Sequence, residues 1–126
     1  MDETAGQPGS LTAKVADAVC LKVSRCGGIS RLLAQAALVR ASGADVYLAS
    51  TFDGPLGIAA AAHAAQALPQ TGPAAGIAQG LATQLLFGAT VASRECTLDG
   101  PLLTVPDAPG LGVQLDEDAL AKHRVP

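Results

Sequence analysis

The chain has 126 residues, of which 49% are hydrophobic and 15% charged, and it carries a net charge of −3. This is the composition of a globular chain. The scattered Lys and Arg residues exclude the electrostatic footprint of a nucleic-acid binder, and no run of about 18 apolar residues marks a membrane span.

In chain order, Met1-Asp2-Glu3-Thr4 is acidic and lacks the charge pattern of a secretory leader, so a cytoplasmic location is the default expectation. Ala18 to Ser24 reads as a strand, followed by a Gly27-Gly28 turn. Ser30 is a candidate cap for a helix that runs to Ser42, with Leu32, Leu33, Ala36 and Ala37 at helical spacing and Gly43 as its stop. Asp45 to Thr51 reads as a second strand. The Gly54-Pro55 turn then opens an alanine-rich helix, Leu56 to Leu68, which Pro69 ends. Gly76 to Thr83 is expected as a short third strand, with a helical turn at Gln84 to Phe87. Leu98 to Val105 reads as one extended stretch and Pro106 to Gly112 as a turn-rich loop. Asp116 can cap a final short helix, Glu117 to His123.

Strand and helix alternating in this way is the signature of a parallel sheet in an α/β fold. In the first strand, Val19, Leu21 and Val23 point one way and suit a helix layer. Ala18, Cys20, Lys22 and Ser24 point the other way, and in a barrel that small, polar face would line the interior. The apolar residues are mostly small: there are two Phe, one Tyr and no Trp. Small side chains bury little area each, so the chain reads as part of a larger packed body.

Two residues are placed to carry chemistry. Lys22 sits in an apolar strand, where an ammonium is costly to bury unless it is paired or used. A lysine with a lowered pKa can act as a general base; the competing reading is a lysine at a strand end that snorkels to water. Asp53 follows the second strand, and active sites of parallel α/β folds lie at the carboxyl ends of strands. The competing reading there is a turn aspartate bonding its own backbone. His63 reads as structural, His123 as solvated, and Asp116-Glu117-Asp118 as an acidic helix start that complements the dipole. Gly110-Leu111-Gly112 does not open a helix after a strand and is a weak nucleotide motif. Cys20, Cys26 and Cys96 are odd in number and irregularly spaced, and read as isolated thiols.

Taken together, the motifs resemble a known family. Cys20-Leu21-Lys22-Val23-Ser24-Arg25-Cys26-Gly27-Gly28-Ile29 resembles the sixth barrel strand of the muconate cycloisomerase and mandelate racemase branch of the enolase superfamily, where a lysine is followed by a Gly-Gly pair. Ser50-Thr51-Phe52-Asp53-Gly54-Pro55-Leu56-Gly57 resembles the seventh strand and the start of its helix; muconate cycloisomerases usually carry glutamate where Asp53 stands. Gly80-Leu81-Ala82-Thr83 resembles the eighth-strand end that contacts substrate in related enzymes, including succinylbenzoate synthases. Val105-Pro106-Asp107-Ala108-Pro109-Gly110-Leu111-Gly112 is similar to the C-terminal signature of the branch, and Asp2-Glu3-Thr4 looks like the segment that closes the fifth strand.

The resemblance implies the last three βα units of a (β/α)-barrel, over residues 1–97, with a C-terminal extension over 98–126. It also implies an isomerase or lyase that removes the proton next to a carboxylate, with bound magnesium offsetting the charge that develops. By similarity, Lys22 would be the base or acid, Asp53 would support proton transfer, and Asp2 would be one metal ligand. Thr51, Gly80 and Leu81 would contact a small carboxylic-acid substrate. Two of the three metal ligands and the capping domain are expected from outside this chain. The alternative expectation is a catalytically inactive remnant that folds or self-associates through open sheet edges.

Overall fold

The computed structural model describes residues 16–69 and 77–126. Strand β1, Ala18–Leu21, pairs in parallel with β2, Asp45–Leu48, in the register Val19↔Val46 and Leu21↔Leu48. Between them the chain makes α1, a single turn at Val23–Cys26, and α2, Ile29–Ala41. The alternation of side chains follows the expectation at Val19 and Leu21, which join Val46, Leu48, Leu32, Ala36 and Val39 in one buried cluster under α2. Ala37 is exposed, so the buried face of α2 is Leu32, Ala36 and Val39.

The first strand is shorter than its sequence suggests. The Lys22 carbonyl accepts hydrogen bonds from the Arg25 and Cys26 amides at 3.0 and 2.9 Å, which turns Val23 and Ser24 into a helical turn. Gly27 closes that turn at φ 84° and Gly28 follows at φ 113°; both conformations are open to glycine and strained for other residues. Gly28, not Ser30, is the cap residue of α2. The second strand likewise stops at Leu48.

A third parallel segment survives as a single bridge between Ala49 and Gly80. The Gly80 amide donates to the Leu48 carbonyl at 2.8 Å and the Ser50 amide to the Gly80 carbonyl at 3.0 Å. The expected start of this strand at Gly76 lies outside the described residues. The helical turn after it is a 3-10 turn at Thr83–Leu86.

Helix α3, Pro55–Ala67, is the hub of packing. Its alanines let neighbours approach on three sides. Ala64 and Ala65 join the cluster under α2, Ala61 and Ala62 pack on Leu81, and Ile58 and Ala59 pack on Cys96 and the C-terminal strands. Pro55 starts the helix at a position whose amide has no helical partner to lose.

The C-terminal part is antiparallel. Leu98 to Val105 is not one extended stretch but a hairpin: β4, Thr97–Asp99, pairs with β5, Leu102–Thr104, around Gly100-Pro101, with Gly100 at φ 55°. Strand β3, Ala92–Arg94, pairs with β6, Gln114–Leu115. The last helix, α4, is Glu117–Lys122, and the Asp116 carboxylate caps it by accepting from the Ala119 amide at 3.0 Å. The architecture is therefore mixed α/β. No helix among the described residues is long and apolar enough to cross a membrane.

Candidate active site

Lys22 and Asp53 both leave the carboxyl ends of adjacent parallel strands. Lys22 directly follows Leu21, the last residue of β1, and Leu21 is in register with Leu48, the last residue of β2. Four residues carry the chain from Leu48 to Asp53. Lys22 is half-buried and extended, at φ −129° and ψ 129°, where the strand turns into α1.

Asp53 is also half-buried, at the head of α3. Its Oδ2 accepts a hydrogen bond from the Thr51 amide at 3.2 Å, so the turn-aspartate role is present. Phe52 between them is held at φ 51°, a left-handed conformation that a bulky residue adopts at a cost. Backbone strain of this kind, of order 1–3 kcal/mol, persists only where the surroundings hold it. Two features do so. Ser50, 8% exposed, shares a 2.6 Å hydroxyl–hydroxyl hydrogen bond with Thr83 and stands within 3.4 Å of the Gly80 carbonyl. Gly57, one turn into α3, leaves room for Asp53: a Cβ there would lie 2.6 Å from the Asp53 Cβ.

The expected substrate contacts are placed differently from one another. Thr51 is exposed and tied to Asp53. Gly80 lies against Ala49, whose Cβ would come within 3.1 Å of any Cβ at Gly80. Leu81 is 5% exposed and its side chain packs on Ala61 and Ala62 of α3. It is committed to the core, so only its backbone can face a ligand. Ser50 and Thr83 each lie in a motif of the resemblance, but nothing local signals their pairing, because 33 residues separate them; Gly57 acts locally, on Asp53 four residues before it.

A cleft of about 650 Å³ opens beside Asp53. Asp53, Gly54 and Pro55 form one wall, and the segment from Gln84 to Leu98 forms the other, with Glu95 on it. Cys96 lies in that wall, and burial, followed by the charge of Glu95, pushes its thiol above the ordinary value. Cys26 is raised by burial as well. Neither is poised as a nucleophile. His63 donates or accepts through Nε2 at the Leu111 carbonyl, 3.2 Å away, a structural tie between α3 and the C-terminal loop.

Asp2, expected as a metal ligand, lies outside the described residues. Among the described residues, no group of three or more His, Cys, Asp or Glu is placed to hold a metal ion. Magnesium takes several oxygen ligands in near-octahedral array, and the described side chains do not form such a site by themselves.

Comparison with known proteins places this arrangement. Residues 9–119 match the family described as enolase C-terminal domain-like. Muconate cycloisomerase 1 of Rhodococcus opacus is 35% identical over 111 residues, covering 83% of this chain and 27% of that enzyme. The o-succinylbenzoate synthase of Mycobacterium tuberculosis is 41% identical over 98 residues, covering 75% of this chain and 28% of that enzyme. Among solved structures, the muconate lactonizing enzyme of Pseudomonas fluorescens complexed with muconolactone superposes with a TM-score of 0.83 at 29% identity, covering 93% of this chain and 30% of that one. That of Klebsiella pneumoniae does so with a TM-score of 0.76 at 32% identity, covering 86% and 29%. The chain thus spans less than a third of the relatives it matches. It belongs to the enolase superfamily, in the C-terminal domain of its muconate cycloisomerase branch.

Proposed function

We propose that this chain supplies one flank of a proton-transfer site in an isomerase or lyase that works at the carbon next to a carboxylate. Lys22 takes or returns the proton and Asp53 supports the transfer from the neighbouring strand. Thr51 and the backbone at Gly80 and Leu81 border the substrate, a small carboxylic acid. The observation that supports this reading is the parallel register Leu21↔Leu48, after which the backbone at Lys22 and, four residues beyond Ala49, at Asp53 leaves the same end of adjacent strands. An acid and a base delivered to one face can share a proton-transfer step that neither completes alone.

The three parallel segments at β1, β2 and Gly80, with α2 and α3 between them, support a reading as successive βα units of an incomplete (β/α)-barrel. Cycloisomerases and synthases among the relatives support the reaction class. A magnesium ion, expected from the family, needs ligands beyond those the described residues supply.

The test is loss of the α-proton signal of carboxylic acids in deuterated water, followed by NMR, with and without added magnesium. Muconolactone and a panel of simple α-substituted acids serve as probes. Exchange that falls by about 10²–10⁴-fold in Lys22→Ala supports the assignment. Exchange that survives Lys22→Ala removes Lys22 from the reaction, and no exchange under any condition removes activity from this chain.

A second reading, an inactive product that self-associates, is favoured by exposed apolar side chains after the third parallel segment: Leu85 is 73% and Leu86 67% exposed. Concentration-dependent assembly without exchange would select it.

A further inference from the structure

The outer edge of β2 meets the third parallel segment in an irregular way. The Gly80 amide donates to the Leu48 carbonyl and the Ser50 amide to the Gly80 carbonyl, the pattern of a parallel pair centred on Ala49 and Gly80. In a regular parallel ladder the next bond toward the amino end would run from the Leu48 amide to the backbone carbonyl of Ala78. Here the Leu48 amide donates to the Gln79 side-chain Oε1 at 2.6 Å. Leu48 is 0% exposed, so this donor is shut off from water and needs an acceptor within the protein. The Gln79 side chain is itself held: its Nε2 donates to the Ile77 carbonyl at 3.2 Å, which folds it back along its own backbone.

We propose that Gln79 is a positioning residue, whose side chain stands in for strand backbone and fixes the Gly80–Leu81 backbone against β2. Three clasps then hold the third segment: Gln79 on Leu48 at its amino side, the Gly80 bridge in the middle, and the Thr83–Ser50 hydroxyl pair at its carboxyl side. Gly80 permits the close approach, since a Cβ there would lie 3.1 Å from the Ala49 Cβ. Gly80 has no side chain of its own to anchor it, and the Leu81 side chain is spent on α3, so the place of this backbone depends on the clasps at either side. A side chain of equal length without an acceptor would leave the buried Leu48 amide unpartnered, which costs more than the bond itself contributes. The inference rests on the proton-transfer reading only in taking Gly80 and Leu81 as a border of the substrate; the bond to Leu48 does not need the reaction.

The experiment compares Gln79→Met with Gln79→Glu in the full 126-residue chain. Both keep the length of the side chain; the first removes the acceptor and the second retains it. Backbone hydrogen exchange is followed residue by residue in two-dimensional NMR spectra. Gln79→Met is expected to speed exchange of the Leu48 amide by about tenfold or more and to move the Gly80 and Leu81 amide resonances. The Ala49 amide, which bonds the Leu21 carbonyl across the opposite edge of β2 at 3.1 Å, should keep its wild-type rate. Gln79→Glu should restore protection at Leu48, because a carboxylate accepts a charge-assisted bond. Unchanged protection of Leu48 in Gln79→Met, equal acceleration at Leu48 and Ala49, or exchange at Leu48 as fast in Gln79→Glu as in Gln79→Met overturns the proposal. If Gln79→Met does not fold, the wild-type chain decides: a nuclear Overhauser contact between the Leu48 amide proton and the Gln79 side chain supports the proposal and its absence overturns it. The α-proton exchange assay reads the consequence at the site. A rate that falls in Gln79→Met and returns in Gln79→Glu supports positioning, and a wild-type rate in Gln79→Met overturns it. A wild-type chain that exchanges no α-proton removes the proton-transfer reading, and the amide data still decide this one.

Discussion

Replacing Gly57 with alanine tests how Asp53 is held. Gly57 is the third residue of α3, and its ideal Cβ would lie 2.6 Å from the Asp53 Cβ and 3.0 Å from the Asp53 Cγ. Carbon atoms pack at about 3.5–4.0 Å, so something must move by about 1 Å. A side-chain rotation cannot relieve the closer contact, because a Cβ position is set by its own backbone. The backbone at Asp53 must shift, and with it the strained Phe52 and the bond from the Thr51 amide. Overpacking of this kind costs typically about 1–3 kcal/mol. Against it stands the helix-propensity gain of about 1 kcal/mol for Gly to Ala. The two effects oppose, and overpacking wins: Gly57→Ala is expected to destabilise by roughly 0–2 kcal/mol. It should also move the Thr51 amide resonance. Urea unfolding and a two-dimensional NMR spectrum measure both. A variant more stable by about 1 kcal/mol, with the Thr51 signal in place, would refute the reasoning.

Two further outcomes follow from the same geometry. Ser50→Ala removes the 2.6 Å hydroxyl pair to Thr83 at a position 8% exposed, and should cost roughly 1–3 kcal/mol in urea unfolding. It should also speed hydrogen exchange at the Gly80 amide, whose 2.8 Å bond to the Leu48 carbonyl lies in the same bridge; protection equal to wild type would show that the hydroxyl pair does not hold the strand. The buried thiols set a pH dependence. Burial raises Cys26, and burial with the Glu95 charge raises Cys96, above the ordinary value of 9.0, so the folded state retains protons that the unfolded chain gives up. The sign is that their stabilisation is complete below that value and lost as pH rises through the raised pKa values. Unfolding midpoints on the alkaline side should fall less steeply in Cys96→Ala than in wild type, and parallel curves would contradict this.

Much of the local structure was legible because its chemistry closes within a few residues. Gly27-Gly28, Gly43, Pro55 and Asp116 each answer a requirement set by their immediate neighbours: a positive φ, a missing helical amide, or an amide that needs a cap. The order of short motifs around Lys22, Asp53 and Pro109-Gly110-Leu111-Gly112 was enough to point to the family. Strand ends were less legible. Val23 and Ser24 fit a strand by residue type, yet the Lys22 carbonyl is captured by the Arg25 and Cys26 amides and the chain coils. The hairpin at Gly100-Pro101 was hidden inside an apolar run whose alternation does not reveal the reversal.

Sequence by itself determined the candidates, Lys22 and Asp53, since a charged group next to a strand end is a local fact. Tertiary structure decided everything that depends on two distant segments meeting. The Ser50–Thr83 pair joins residues 33 apart, β3 finds β6 across the intervening hairpin, and Glu95 reaches the cleft beside Asp53. Such contacts are chosen by what packs around the alanine surface of α3, and a surface of methyl groups specifies closeness without naming its partner.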